Sequence, residues 1–289
     1  MLGSQSGPSA GAWLAAIPSD PTTTLSPHHM LLALRRRLRL HLPLTQAYCG
    51  RDPGTHGCGR RLDGYGDHMA ACPRTGALAR RGHLLEQVWT RLSREAVGAE
   101  GRVVPQQWLA ATTAPGVSAD DRRRLDFVVY GATPLGQALC ADVTLVAPLN
   151  RDCVPLARAA DVDGVAIAAA RRRNAVRYPE LLLPGPHELL VLACEIGGRW
   201  GSECHAFVRT LAALRAERAP PAVRATASAA WQRRWWGQLS CAVQRAVAST
   251  LVGGFWVAPP QPRDVELPLA DVLDLADPPL PSRLPLISH

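Results

Sequence analysis

Three cysteines and a histidine crowd the stretch CGRDPGTHGCGRRLDGYGDHMAAC, where Cys49, Cys58, His68 and Cys72 are soft ligands of the kind that bind zinc. His68 and Cys72 are four residues apart, a spacing that lets both face the same way on one helical turn, while Cys49 and Cys58 come from the Gly-rich loop before it. Three thiolates and one imidazole satisfy tetrahedral Zn²⁺. Apart from Leu62, Tyr65 and Met69 the segment holds no large apolar residue, so a metal has to supply the folding energy that burial cannot. Four closed ligands leave no position for a catalytic water, and the expected zinc is structural. His56 is a substitute for one ligand, and His83 lies near enough in sequence to compete or to serve elsewhere. Reduced, unligated loop cysteines are the other reading.

Two aspartates are the second candidate. Asp126 in RLDFVVY and Asp142 in ALCADVTLV sit among apolar, strand-like residues, where an unpaired carboxylate is costly. Residue 134, midway between them, falls in a turn-rich segment holding Gly131, Pro134 and Gly136. A symmetric hairpin therefore sets the two residues opposite one another, roughly 5 Å apart. Carboxylates that close repel unless a cation lies between them. A divalent, oxygen-preferring ion such as Mg²⁺ or Mn²⁺ meets that need, and it would activate water and neutralise developing charge in hydrolysis of a phosphodiester. In the alternative, Asp126 pairs with Arg122, Arg123 or Arg124, Asp142 caps or bridges to a basic helix, and no metal binds. Glu195, in LACEIGG, is a weaker third-carboxylate candidate, with a structural, surface-bridged Glu as the other reading.

The elements that must position these residues follow from periodicity. Residues 1–27, rich in Ser, Pro, Gly and Thr, read as a flexible arm. A basic helix from His29 to Leu42, with Leu31, Leu34, Leu38 and Leu42 recurring through Arg, leads into the cysteine segment, and the two occupy residues 28–80. Leu85, Val88, Leu92 and Ala96 share a helix face, and an extended segment is expected over Val103–Leu109. Strands are expected at Leu125–Tyr130, Ala138–Ala147 and Leu189–Ile196, and helices at 156–177 and 202–217, so that residues 81–220 form an α/β unit. Residues 221–257 read as a separate C-terminal helix carrying Trp231, Trp235 and Trp236 among Arg and Ala. Those rings either pack a core or stack on bases. Residues 258–289 read as a disordered, Pro-rich acidic tail.

Composition narrows the partners. The 289 residues contain no Lys, so all 32 basic side chains are Arg, against 24 acids, for a net charge of +8. The last 32 residues hold five acids and two Arg, which leaves the body at +11 and the tail at −3. Such a body expects an anionic partner and bidentate phosphate contacts, unless its Arg content only reflects a GC-rich genome. No run of about 18 apolar residues is present, which argues against a membrane span. The eight cysteines follow no disulfide framework and the start has no secretory character, so a reducing compartment, nuclear or cytoplasmic, is expected.

The order of Cys/Cys/His/Cys cluster, helix with His83, RLDFVVY, ADVTLV and then a basic helix ending in Tyr, RRRNAVRY, resembles a known arrangement over roughly residues 45–215. It is similar to the restriction-like endonuclease region, of the PD-(D/E)XK type, found after reverse transcriptase in some non-LTR retrotransposons. The resemblance implies a restriction-endonuclease-like mixed sheet flanked by helices, with a small zinc knuckle, and a DNA-nicking activity; RNA is the alternative partner. It matches Asp126 to the Asp of the family's first element and Asp142 to the acid of the second. Leu125 stands where the family usually has Pro, and Thr144 stands where it has Lys. In some members the Lys comes from the following helix, where Arg173 or Arg177 could serve as a charge stabiliser but not as a general base. The chain carries no polymerase motif. A non-catalytic nucleic-acid-binding module and a structural protein rich in Arg are the competing readings.

Overall fold

The β-branched and aliphatic runs of the chain's centre form one sheet of four strands, and helices close both of its faces. A computed structural model describes residues 1–44, 46–50 and 56–252. Its helices are α1 (Pro27–Arg37), α2 (Asp67–Ala71), α3 (Ala77–Val97), α4 (Val165–Arg177), α5 (Ser202–Ala216) and α6 (Arg224–Val252). The strands are β1 (Arg102–Pro105), β2 (Phe127–Tyr130), β3 (Ala138–Val146) and β4 (His187–Glu195), in spatial order β1-β2-β3-β4. The first three run antiparallel to their neighbours, and β4 joins β3 in parallel after the α4 crossover. The fold is thus mixed α/β, as the alternation of strand and helix patterns requires.

Alternation along each strand sorts the core into two layers. Phe127, Val129, Leu139, Ala141, Leu190 and Leu192 face α3, α5 and α6, where they meet Leu85, Trp89, Leu92, Phe207 and Leu211. Val128, Cys140, Val191 and Ala193 face the other way, toward Tyr178, Leu181 and the Ala170 side of α4. Gly131 and Gly136 both take positive φ, as the turn between β2 and β3 demands.

The Trp helix does not stand apart from the α/β unit. Trp231, Trp235 and Trp236 are all buried in the same core as the sheet, and the Trp235 indole donates to Glu95 Oε2 at 2.9 Å. This favours the core reading of these rings over base stacking and removes the expected boundary at residue 221. The expected flexible arm is likewise packed on the body. Trp13 is buried with its backbone N–H bonded to Ser240 Oγ at 3.1 Å, and Ser4 Oγ accepts from Gly197 N–H at 3.0 Å. A single aromatic anchor and short 3₁₀ turns hold the arm down, a signal that composition hides. The helix expected over 156–177 begins only at Val165, because Gly164, with φ 74°, starts it in the left-handed region and turns occupy the residues before. The acidic tail lies outside the described residues. No helix among the described residues is long and apolar enough to cross a membrane.

Candidate functional site

The cysteine segment folds on itself. Tyr48 bridges to Arg61, and the Cys49 N–H bonds to the Arg60 carbonyl at 2.8 Å, which sets the backbone at Cys49 beside that following Cys58. Asp63 then accepts from the N–H groups of Tyr65, Asp67 and His68, which caps the short helix α2 and aims His68 inward. As a result Cys49, Cys58, His68 and Cys72 bring their ligand atoms within 4.8 Å of one another. Cys58 Sγ lies 3.3 Å from His68 Nε2, and Cys49 Sγ lies 3.9 Å from Cys72 Sγ. The set could hold a metal such as zinc. His68 Nδ1 is 2.6 Å from the Arg151 carbonyl, an outer contact that leaves Nε2 free as the ligand atom. Burial, and then the neighbouring thiols, pushes Cys49 up to about 11, so a thiolate there calls for a cation. His56 is exposed and outside the set, and His83 pairs with Glu86 instead.

The knuckle is tied to the rest of the protein from two sides. Asp67 is buried against Arg36 and Arg39, with contacts of 3.3 and 2.9 Å, which anchors α2 to α1. Arg151, Asp152 and Cys153, on the connection after β3, meet His68, Arg60 and Asp63 respectively.

The aspartate pair lies at the other end of β3's neighbourhood. The β2–β3 ladder ends at Phe127 opposite Ala141, and Asp126 bonds to that same Ala141 rather than pairing directly with Asp142 as hairpin symmetry predicts. Asp126 itself sits at a bend just before β2, where its N–H bonds to the Ala141 carbonyl and its Oδ2 accepts from Val143 N–H at 2.7 Å. Burial, followed by the charge of Asp142, raises Asp126 to about 7, with Glu86 pushing the same way and Arg177 opposing. Burial also raises Asp142, which is 8% exposed, against the Asn174 hydrogen bond and the charges of Arg177 and Arg173. Asn174 Nδ2 donates to Asp142 Oδ2 at 2.7 Å, and Arg177 Nη1 lies 3.9 Å from Asp142 Oδ1.

Part of the bland alternative is met: Asp142 does bridge to the basic helix, α4. Asp126 does not pair with the preceding arginines. Arg123 is engaged by Asp121 and Glu180 at 2.7 and 2.6 Å, and Arg124 lies over the Trp108 ring. Glu195 is not the third carboxylate; it is buried beside Ser4 and Arg199, far along β4, where burial raises it. The acid whose charge reaches Asp126 is Glu86 of α3, only 6% exposed, hydrogen-bonded by Gln106 Nε2 and 3.0 Å from His83 Nδ1. Sequence reasoning passed over Glu86 because it sits one position from the apolar face of α3; its signal was a Glu beside Leu85 and three residues after His83. Tyr178, at the end of α4, donates to the Arg124 carbonyl at 2.8 Å, and burial together with the charge of Asp142 pushes its phenol up to about 12.

No protein-family model and no curated protein matches the sequence. The two sites therefore rest on their own geometry.

Proposed function

We propose that this chain is a metal-dependent nucleic-acid-cleaving domain of the restriction-endonuclease type, braced by a structural zinc knuckle. The observation that supports this reading is that Asp126 Oδ2 accepts from Val143 N–H at 2.7 Å, which seats it beside the buried Asp142, and that Asp142 in turn meets Asn174 at 2.7 Å and Arg177 at 3.9 Å on α4. Asp126, raised by burial and by the charge of Asp142, and Asp142, raised by burial, favour a cation, and the adjoining guanidinium groups favour phosphate. Asp126 and Asp142 would hold a Mg²⁺ or Mn²⁺ ion, since such ions take one or two carboxylates and fill the rest of their shell with water and phosphate oxygen. When bound, the ion supplies charge neutralisation and an acidified water. Val143 N–H and Asn174 Nδ2 fix the two carboxylates, and Arg177, with its side chain 53% exposed, is free to bind a phosphate oxygen beside them. With no Lys in the chain and a guanidinium that keeps its proton, the attacking water must give its proton to another group. The Glu86–His83 pair beside Asp126 is suited to accept it.

A second reading, a nucleic-acid binder that no longer cuts, is favoured by one observation: Thr144 occupies the β3 position two residues after Asp142 where the resembled family has Lys. Nicking of supercoiled plasmid with Mg²⁺ or Mn²⁺ separates the two. The proposal expects nicking that falls by about 10²–10³-fold in both Asp126→Asn and Asp142→Asn. Activity that survives both substitutions refutes it, and DNA binding without any nicking establishes the second reading.

A further inference from the structure

Seven of the chain's tryptophans lie among the described residues, and six of them are buried: Trp13, Trp89, Trp200, Trp231, Trp235 and Trp236. Trp108 differs, with half of its surface in solvent. An indole left exposed when the other described indoles are buried invites a ligand. Its position narrows the choice. Trp108 bridges to Arg124, and the Arg124 guanidinium lies 5.6 Å from the centre of the Trp108 ring. Arg124 stands two residues before Asp126, and its carbonyl is held by Tyr178 Oη, whose surroundings include both aspartates. On the other chain segment, Gln106, two residues before Trp108, bonds to the Asp126 carbonyl through its N–H and to Glu86 through its side chain. The exposed ring is thus fixed through short covalent and hydrogen-bonded links to the carboxylate site.

The local charges point the same way. Arg123 is consumed by Asp121 and Glu180, but its exposed neighbours Arg122 and Arg124 form no ion pair among the described residues. A flat ring with one guanidinium against it and a second nearby offers a base a stacking surface and its phosphate a cation. A base inside an intact duplex cannot present its face to such a surface without leaving the stack.

We propose that Trp108 and Arg124 form a stacking platform for one unpaired nucleobase next to the Asp126–Asp142 site, so that the site's preferred substrate is single-stranded or locally unpaired nucleic acid. This rests on the nuclease reading for what the neighbouring carboxylates do, but the platform is a binding claim and is tested without cleavage. Fluorescence anisotropy of the zinc-loaded full chain, without Mg²⁺ or Mn²⁺, would compare labelled 20-nucleotide strands of DNA and RNA, a DNA strand with abasic sites, and a 20-base-pair DNA duplex. The parent is expected to bind the strands more tightly than the duplex and than the abasic strand. Trp108→Ala should weaken strand binding by about 5- to 150-fold while duplex binding changes less than about twofold, and Trp108→Phe should restore most of the loss. The DNA and RNA arms show which sugar the platform accepts. Equal loss on strand and duplex, no loss at all, or undiminished binding of the abasic strand overturns the platform. Any of these results leaves the nuclease reading standing if plasmid nicking still depends on Asp126 and Asp142. The reverse pattern, a Trp108-dependent preference for strands with no such nicking, supports the platform and removes the nuclease.

Discussion

The Cys49–Cys72 knuckle and the Asp126–Asp142 pair are both clusters of ionisable side chains, yet they are built in opposite ways. The knuckle takes all four ligands from one continuous stretch, closes them within 4.8 Å, and ties off its outer contacts through Asp63, Asp67 and Arg151. The carboxylate site draws on α3, the bend before β2, β3 and α4, and stays open on the side where Arg173 and Arg177 are exposed. The knuckle holds few apolar residues, and its four ligand atoms could hold a metal such as zinc. The pair is carried by a sheet whose core is complete without it. A closed donor set suits a structural ion, and an open one suits an exchangeable ion with a substrate in its shell.

That contrast breaks most visibly on loss of the knuckle's metal. The zinc-loaded chain is expected to hold one equivalent of zinc and to lose it in Cys72→Ser, since small Cys/His sites derive about 10–16 kcal/mol of apparent binding energy from the ion and fold only with it. Protection of the α2 amides against hydrogen exchange should collapse, while the near-ultraviolet signal of the Trp89–Trp200–Trp236 cluster persists, because that cluster lies in the sheet core. Zinc content unchanged by Cys72→Ser would refute the ligand set. Loss of the Trp signal along with the metal would show that the two regions do not stand separately.

The same difference explains what could be read from the chain alone. Cys49, Cys58, His68 and Cys72 are legible because chain connectivity itself keeps them close. That Asp126 and Asp142 come near one another is legible because a hairpin brings its two strands together, although the symmetry read from the two residue numbers misses that Asp126 bonds to the Ala141 carbonyl just past the end of the β2–β3 ladder. Glu86 is not, since only the packing of α3 beside β1 and β2 brings it near Asp126. Glu195 misled for the matching reason: a carboxylate on the adjacent strand sounds close, but the β3–β4 register sets it opposite Val146, four residues beyond Asp142. The arm at 1–27 hid its docking because polar composition reports the exposed residues and not the one buried indole, Trp13. Trp231, Trp235 and Trp236 were equally ambiguous, since a ring that packs a core and a ring that stacks on a base have the same sequence periodicity.

A second, smaller effect tests whether the pair is strained without its ion. Asp126 is raised from an ordinary 3.8 to about 7, so the folded chain holds this proton more tightly than the unfolded chain does. Its contribution to stability is complete below about pH 4 and is lost as pH rises through 7. In metal-free buffer the melting temperature should therefore fall between pH 5.5 and 8, at about 2–4 °C per kcal/mol for a chain near this size. Asp126→Asn should flatten that part of the profile, and millimolar Mg²⁺ should raise the parent's melting temperature at pH 8 more than the variant's. An identical slope in parent and variant would mean that the pair costs the fold nothing. The knuckle gives no such response to Mg²⁺, because thiolates do not favour that ion.

The smallest expected effect separates an arginine that serves the fold from one that serves a ligand. Arg36 and Asp67 are both buried under the knuckle, whereas Arg177 reaches Asp142 only at 3.9 Å with 53% of its side chain in solvent. A guanidinium half in solvent and 3.9 Å from its partner contributes little, so Arg177→Gln should change unfolding free energy by less than about 0.5 kcal/mol. If Arg177 instead holds a phosphate, the same substitution removes one counterion-releasing contact. The slope of log K against log salt for DNA binding should then shrink by about 0.9 for duplex, or about 0.7 for single strand. An unchanged slope would assign Arg177 to Asp142 alone and leave Arg173, whose charge also reaches Asp142, as the other α4 guanidinium placed for the phosphate. A large loss of stability would place Arg177 in the same class as Arg36 and erase the distinction between the closed site and the open one.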